Sequence, residues 1–549
     1  MVCSTTLALV ATLALLAASP GRARKFDVDD NVPEMVTETD PKFKIPKSFL
    51  LGAGTASYQT EGAWDKDGKG VNVFDHLYHK NNYPTNMTGD IACNSYERYE
   101  EDIKLAAQMN LDVFRFSISW TRIFPNGDVA EKNIKGVQHY HNVIKAIKAN
   151  NMKPLVTIYH LDHPQALETK FGGWLSEQMI EAYVNFADFL FSEYGSEVEH
   201  WLTLNEANMH CTIVYNGLLP PGTRDANHTV ADIYKCIQHE ILAHATAYRL
   251  YEQKYKKEQG GVLGFGAVSF FSRPNSSEWD DILAADRINM FDVGLLLHPL
   301  IYGDYPAVVK ETLKNAYGDE HFLPEFDEKQ KKTLMGAIDF VAVNAYHGSI
   351  VADRRKDPNG HGGGPGMIPM KGLWADANVT TVVEAGANKN IFSQVTAWLL
   401  RDVSLWIRAK FGPELGIFIS ENGMGLYNSS TDDWDTRAVY HSAYLRELMR
   451  TVNEDGVNVL GYTMWSLLDD FEFSAGYKRE FGLVQVDFEG GTLARTLKKS
   501  HHFFKRMMAD RSVPLVLAST TVSAAGTLAP SVCVVVLYSA LSLLHALLF

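Results

Sequence analysis

The chain has 549 residues, a formal net charge of −14, and charged and aromatic shares of 21% and 11%, the composition of a folded globular protein with many aromatic rings. That length can bury a large core, either as one big barrel or as two or three ordinary domains. The acidic balance, with no basic patch to neutralise phosphates, excludes a nucleic-acid binder.

In chain order, Thr6 to Ala18 is an apolar run followed by Ser19, Pro20, Gly21 and Arg22. It predicts a secretory signal over residues 1–23, although no Lys or Arg precedes it. From residue 24 to 511 no linker, repeat or charge block divides the chain. Short apolar runs, expected as strands, cover Phe49–Gly54, Asp112–Ser117, Pro154–Tyr159, His200–Asn205, Val262–Ser269, Asp339–Asn344, Leu415–Ser420 and Val457–Trp465. Helical patterns lie between them, among them Ser95–Met109, Ile134–Asn150, Glu177–Tyr194 and Asp232–Lys256. Asn359 to Gly366 is Gly-rich and reads as a surface loop. Eight strands with helical crossovers predict an α/β fold, a single (β/α)8 TIM barrel with long βα loops. The rival, a doubly wound open sheet, lacks a strand that ends in a Gly-rich phosphate fingerprint.

At the far end, Ser531 to Phe549 is nearly all apolar with no Lys or Arg after it, and Ser519-Thr520-Thr521 and Ser523-Ala524-Ala525-Gly526 lie upstream. Small residues, a spacer and an apolar tail describe a GPI-anchor signal within residues 512–549. A membrane-spanning tail is the alternative, but a type I span usually carries basic residues on its cytoplasmic side. Glycosylation triplets at Asn86, Asn227, Asn275, Asn378 and Asn428 agree with an extracellular, cell-surface protein. With Cys3 and Cys533 in the terminal segments, Cys93, Cys211 and Cys236 remain, so at most one disulfide forms within the chain; Cys211–Cys236 is a candidate pairing.

Polar and aromatic residues gather at the strand ends. Ser57-Tyr58-Gln59-Thr60-Glu61-Gly62 follows the first strand, Arg115 lies on the second, and Tyr159-His160-Leu161-Asp162 ends the third. Asn205-Glu206 ends the fourth, Asn344-Ala345-Tyr346 the sixth, Glu421-Asn422 the seventh, and Trp465 the eighth, with Asp469-Asp470-Phe471-Glu472-Phe473 beyond it. In a (β/α) barrel these ends share one rim, where chemistry sits. Amides, carboxylates and an imidazole are partners for hydroxyls, and an indole offers an apolar face, a mixture suited to a sugar ring. Taken singly, each carboxylate could be structural, His160 a satisfied core histidine, and Trp465 or Phe473 a core ring. The histidine pairs His76/His79, His160/His163 and His501/His502 do not make a metal set, and no cofactor is expected.

The order of these blocks resembles glycoside hydrolase family 1, the β-glucosidase-like enzymes, over roughly Phe43 to Phe504. The run from Phe49 to Ala63 is similar to the family's N-terminal signature and Ile417-Phe418-Ile419-Ser420-Glu421-Asn422-Gly423 to its nucleophile signature. Phe114-Arg115-Phe116-Ser117-Ile118-Ser119-Trp120 and the Trp465 segment agree in order and spacing.

The resemblance implies retaining hydrolysis of a small glycoside or short oligosaccharide by two carboxyl groups about 5–5.5 Å apart. It makes Glu206 the acid/base and Glu421 the nucleophile, with Arg115, Asn344 and the Tyr346 hydroxyl in support. Gln59, His160, Asn205, Trp465 and Glu472 would line the sugar subsite, and Phe481 would border the exocyclic carbon. Glu472 disfavours 6-phospho-glycosides, because it would repel the phosphate. Three positions depart from the family's usual residues: Leu161 and Phe473 stand for tryptophans and Ala207 for a proline. Altered sugar preference or weaker binding is expected from them, with the chemistry retained. Plant-type myrosinases replace the acid/base with Gln, so Glu206 disfavours that variant. A thioglucosidase that keeps the Glu, a transglycosylase using the same intermediate, and a catalytically weakened glycan- or protein-binding ectodomain are the alternatives. Aglycone and oligomeric state are not legible.

Overall fold

A computed structural model describes residues 35–81, 86–222, 227–319, 321–356, 370–382 and 395–518. The expected secretory signal, the Gly-rich loop and the apolar tail from residue 519 lie outside the described residues. The described residues up to Val516 belong to one compact unit, and a second begins at Leu517.

Eight parallel strands close into a barrel in chain order. They are β1 (Leu50–Gly54), β2 (Val113–Ser117), β3 (Lys153–Tyr159), β4 (His200–Leu204), β5 (Val262–Val268), β6 (Phe340–Asn344), β7 (Gly416–Asn422) and β8 (Val459–Met464), and β1 pairs with both β2 and β8. Every expected strand is present, with ends displaced by a residue or two. The (β/α)8 expectation holds.

Strand alternation explains why the barrel's lower level is apolar and its mouth polar. Inward positions on β6 run Phe340, Ala342, Asn344, and on β2 Val113, Arg115. Val113, Leu155, Leu202, Phe340, Ala342 and Phe418 pack together as the barrel's floor. Two residues further along, the same inward face delivers Arg115, Thr157 and Asn344 to the C-terminal mouth. There the ladder is irregular: β7 slips its register against β6 and β8 just after Ile419. Strict alternation would send Ser420 inward and Glu421 outward. The slip brings both into the mouth, the usual work of a bulge beside an active site.

The helices that carry the site's backing are α1 (Ser95–Gln108), α2 (Ile134–Ala149), α3 (Gln178–Tyr194), α4 (Ala207–Tyr215), α5 (Val230–Lys254), α6 (Trp398–Phe411) and α7 (Val439–Asn453). The apolar periodicity of α5 suggests a start at Asp232. The helix starts two residues earlier, because Thr229 caps it in a reciprocal capping box with Asp232. Cys211 on α4 and Cys236 on α5 form a disulfide, and Cys93 is free and buried. Short strands that the sequence did not suggest dress the loops: Ser272–Pro274, Ser349–Asp353 and Val379–Thr381 form one sheet, and Leu426–Tyr427 pairs with Arg479–Glu480. Among the described residues no helix is long and apolar enough to cross a membrane.

Candidate active site

The mouth is built around the guanidinium of Arg115, which is fully buried. Its Nη1 donates to Glu421 Oε1 at 2.5 Å and to the Ser420 carbonyl at 2.9 Å. Nη2 donates to Asn205 Oδ1 at 2.7 Å, and Nε to Thr157 Oγ1 at 3.3 Å. One cation thus takes acceptors from the ends of β3, β4 and β7. A buried charge is tolerable when paired and hydrogen-bonded in this way.

Glu421 receives a second donor on its other oxygen, the Tyr346 hydroxyl at 2.6 Å. Both oxygens therefore accept, an arrangement matched to the anion. Glu206 sits in a contrasting place. It has φ 49° immediately ahead of α4, a left-handed conformation that a non-glycine residue holds only when its surroundings over-determine it. Its Oε1 accepts from Asn344 Nδ2 at 2.8 Å, and the same amide donates to Asn205 at 3.1 Å. Ser420 Oγ in turn donates to Asn344 Oδ1 at 2.6 Å. Burial in the barrel mouth, then the negative charge of Glu421, push the Glu206 pKa up to about 8, against the Asn344 hydrogen bond and Arg115. The two carboxyl groups are connected through Arg115, Asn205 and Asn344 but sit in contrasting surroundings.

The remaining expected residues gather beside this pair. Gln59 Nε2 donates to Glu472 Oε2 at 3.2 Å. His160 lies parallel to the Trp465 indole, ring centroids 5.8 Å apart. Trp465, Tyr346, Phe481 and Ala56 form one apolar patch, with the Tyr346 and Phe481 rings edge-on at 5.8 Å. Burial and the charge of Glu421 raise the Glu472 pKa to about 7, against Arg479 and the hydrogen bonds from Trp465 and Gln59. Burial, Arg115 and His210 hold the His160 imidazole well below its usual pKa, hence neutral. Among the described residues Gln59 Oε1 and His160 Nδ1 are buried with no protein partner. Two orphaned polar atoms beside an indole face are what a ligand hydroxyl would satisfy. In contrast, Glu61 is used up by Arg122 at 2.9 Å and Tyr140 at 2.8 Å, so it braces the fold. Asp469 Oδ1 is held by Lys498 at 2.7 Å.

Sequence reasoning gave no role to Ser420 and Asn422, which it named at the strand end, and it missed Thr157. Asn422 Nδ2 donates to the Ala345 carbonyl at 2.6 Å, tying the ends of β6 and β7 together. Inward alternation on β3 could have flagged Thr157. Four potential metal ligands, His210, Cys211, Cys236 and Glu240, also cluster behind α4. They do not fit a metal, because the two sulfurs are bonded to each other and His210 Nδ1 is 2.5 Å from Glu240.

The sequence profile of glycosyl hydrolase family 1 matches residues 42–513. The chain belongs to this family. Myrosinase 1 of the aphid Brevicoryne brassicae is 36% identical over 478 residues, covering 85% of this chain and 99% of that protein. Beta-glucosidase 11 of Arabidopsis thaliana is 34% identical over 500 residues, 84% and 92% of the two chains. Human lactase/phlorizin hydrolase is 33% identical over 519 residues, 90% of this chain but 26% of that protein. Among solved structures, aphid myrosinase superposes with a TM-score of 0.78 at 35% identity over 85% of this chain and 99% of that one. A rice β-glucosidase gives 0.75 at 34% identity, over 84% and 98%.

Within the family frame, the three departures acquire a spatial meaning. Leu161 and Phe473 are neighbours: both join one apolar cluster with Tyr58, Val73, Phe74, Tyr78 and Phe471. The Phe473 ring stacks on Phe74 at 5.1 Å. The wall flanking His160 and Glu472 is thus hydrocarbon at both positions and offers no indole donor. Ala207 occupies the first position of α4, where proline is tolerated because that N–H has no helical acceptor.

Because the Glu421 charge contributes to the raised Glu206 pKa, removing it has a definite sign. In a carboxyl-labelled NMR titration, Glu206 is expected to titrate near 8 and to move down in Glu421→Gln. An unmoved or rising Glu206 pKa would contradict the electrostatic account.

Proposed function

We propose that this family member is a retaining β-glycosidase that releases a β-linked sugar, glucose first among candidates, from small glycosides or short oligosaccharides. The observation that carries the reading is the contrast between Glu421, which accepts from Arg115 and Tyr346, and Glu206, which holds a proton up to about pH 8. A glycosidic bond breaks when its leaving oxygen receives a proton and its anomeric carbon receives electrons from the opposite face.

In the first step the Glu206 proton goes to the leaving oxygen. The carbon–oxygen bond breaks with its electron pair on that oxygen, and a Glu421 oxygen closes on the anomeric carbon as an ester. The negative charge of Glu421 is then gone, and with it one cause of the raised Glu206 pKa. Glu206, now ionised, takes a proton from water as the water oxygen attacks the same carbon and Glu421 leaves. Two inversions give net retention. Asn205, oriented by Arg115 and Asn344, is placed to meet a hydroxyl next to the anomeric centre. Gln59, His160 and Glu472 hold hydroxyls farther round the ring over the Trp465 face. A variant of the rice relative in covalent complex with glucose supports an ester intermediate here.

The second reading, a β-thioglucosidase, is favoured by the likeness to aphid myrosinase and by the hydrocarbon wall of Leu161 and Phe473. A purely binding ectodomain fits poorly with a Glu206 whose pKa is raised beside a Glu421 paired to Arg115. For location, we propose a secreted, glycosylated, GPI-anchored protein. The apolar run at Thr6 to Ala18, the tail from Ser531 to Phe549 and five glycosylation triplets whose asparagines are all solvent-exposed support that reading.

The test is covalent trapping. With 2-deoxy-2-fluoro-β-glucosyl fluoride, or its galactosyl counterpart, mass spectrometry should find one label on Glu421 and none in Glu421→Gln. Glu206→Ala should lose roughly 10²–10⁴-fold on glycosides with poor leaving groups, with azide restoring turnover of activated ones. An unlabelled protein with either sugar, or a label elsewhere, contradicts the mechanism. For the anchor, phosphatidylinositol-specific phospholipase C should release the mature protein from cells expressing the full chain. Retention on the membrane under those conditions would favour a spanning tail.

A further inference from the structure

Behind the nucleophile lies a buried group that the reaction does not consume. On α7, Tyr440 and Tyr444 are one turn apart with rings stacked at 4.2 Å. Both hydroxyls donate to a single acceptor, the backbone carbonyl of Tyr346, at 3.1 and 3.0 Å. The Tyr440 oxygen also accepts from Asn422 Nδ2 at 2.9 Å. Asn422 follows Glu421 in the chain, and Tyr346 is the residue whose hydroxyl reaches Glu421 Oε2. Asn422 is itself fixed from the far side: its Oδ1 accepts from the Tyr462 hydroxyl at 2.7 Å, whose oxygen lies 2.8 Å from His441 Nδ1. Tyr444 is held by the Thr396 N–H at 2.9 Å.

We infer that Tyr440 is a positioning residue for the glycosylation step, its hydroxyl fixing the distance between the strand end that carries Glu421 and the one that carries Tyr346. This rests on Glu421 being the nucleophile. The geometry singles out Tyr440 over an ordinary buried tyrosine in two ways. Two phenols converge on one carbonyl and occupy both of its lone pairs. And the Tyr440 oxygen is the point where the Asn422 and Tyr346 supports meet. Tyr440 is 1% exposed and Tyr444 fully buried, and both hydroxyls are directed at the Tyr346 carbonyl, so they act through other groups. Their effect reaches the reaction through the orientation of the Tyr346 phenol and the Glu421 carboxylate, where a small misplacement is costly.

The experiment compares wild type, Tyr440→Phe and Tyr444→Phe as full-length proteins. Each is assayed on an aryl β-glucoside and trapped with 2-deoxy-2-fluoro-β-glucosyl fluoride, with thermal unfolding alongside. The expected result is that Tyr440→Phe lowers both kcat and the first-order trapping rate by roughly tenfold, while KM and the inhibitor's Ki stay within about twofold. Tyr444→Phe, which keeps the Asn422 bridge, should lose less, and Tm should fall by a few degrees at most in each. A trapping rate equal to wild type in Tyr440→Phe overturns the inference while leaving Glu421 as nucleophile. Equal losses in both variants that track Tm overturn it in favour of a purely structural role. A wild-type protein that is not labelled on Glu421 removes the inference together with the reading on which it rests.

Discussion

Everything in the mouth of this barrel depends on one buried positive charge. Taking a guanidinium out of water costs several kcal/mol, and Arg115 recovers that cost through four acceptors spread over three strand ends. The same four contacts fix those ends relative to one another. The ion pair with Glu421 is therefore a structural tie as well as an electrostatic pairing. Removing either partner would leave the other buried and uncompensated, the costly case. A slip in the β7 ladder places Ser420 and Glu421 together in the mouth, so the backbone irregularity and the electrostatics depend on each other.

The two glutamates share one cavity but not one environment. Here the difference is made with few parts. Glu421 is given a cation and a phenol; Glu206 is given one amide and the field of Glu421. The raised pKa of Glu206 is thus in part a consequence of the charge on its partner, and esterifying that partner would release it. Asn344 connects the two environments by donating to Glu206 and accepting from Ser420. In the proposed reaction, such a site turns its acid into a base without moving any residue far.

The sequence announced the barrel because buried parallel strands are written as apolar runs with turn signals at their ends, and because Glu206 and Glu421 interrupt two such runs at equivalent places. What it hid was relational. The neighbourhood of Leu161 and Phe473, more than three hundred residues apart, follows from barrel closure and has no local signature. Tyr440 and Tyr444 carry the same one-turn spacing as core aromatics on any amphipathic helix. The bulge in β7 leaves an unbroken apolar run ahead of Glu421, so periodicity alone would have turned that residue outward. The start of α5 was missed because Thr229 caps it from outside the apolar pattern. The loop strands, of two to five residues, are too short for any periodicity to show.

The stereochemistry of the first product tests the central claim, two carboxyl groups working as acid/base and nucleophile on one sugar. Proton NMR during the first minutes of hydrolysis of an aryl β-glycoside should show the β-anomer of the free sugar appearing first, with the α-anomer rising only as mutarotation proceeds. Initial appearance of the α-anomer would mean a single inversion by water. Glu421 would then not be the nucleophile, and its web of contacts with Arg115 and Tyr346 would need another explanation.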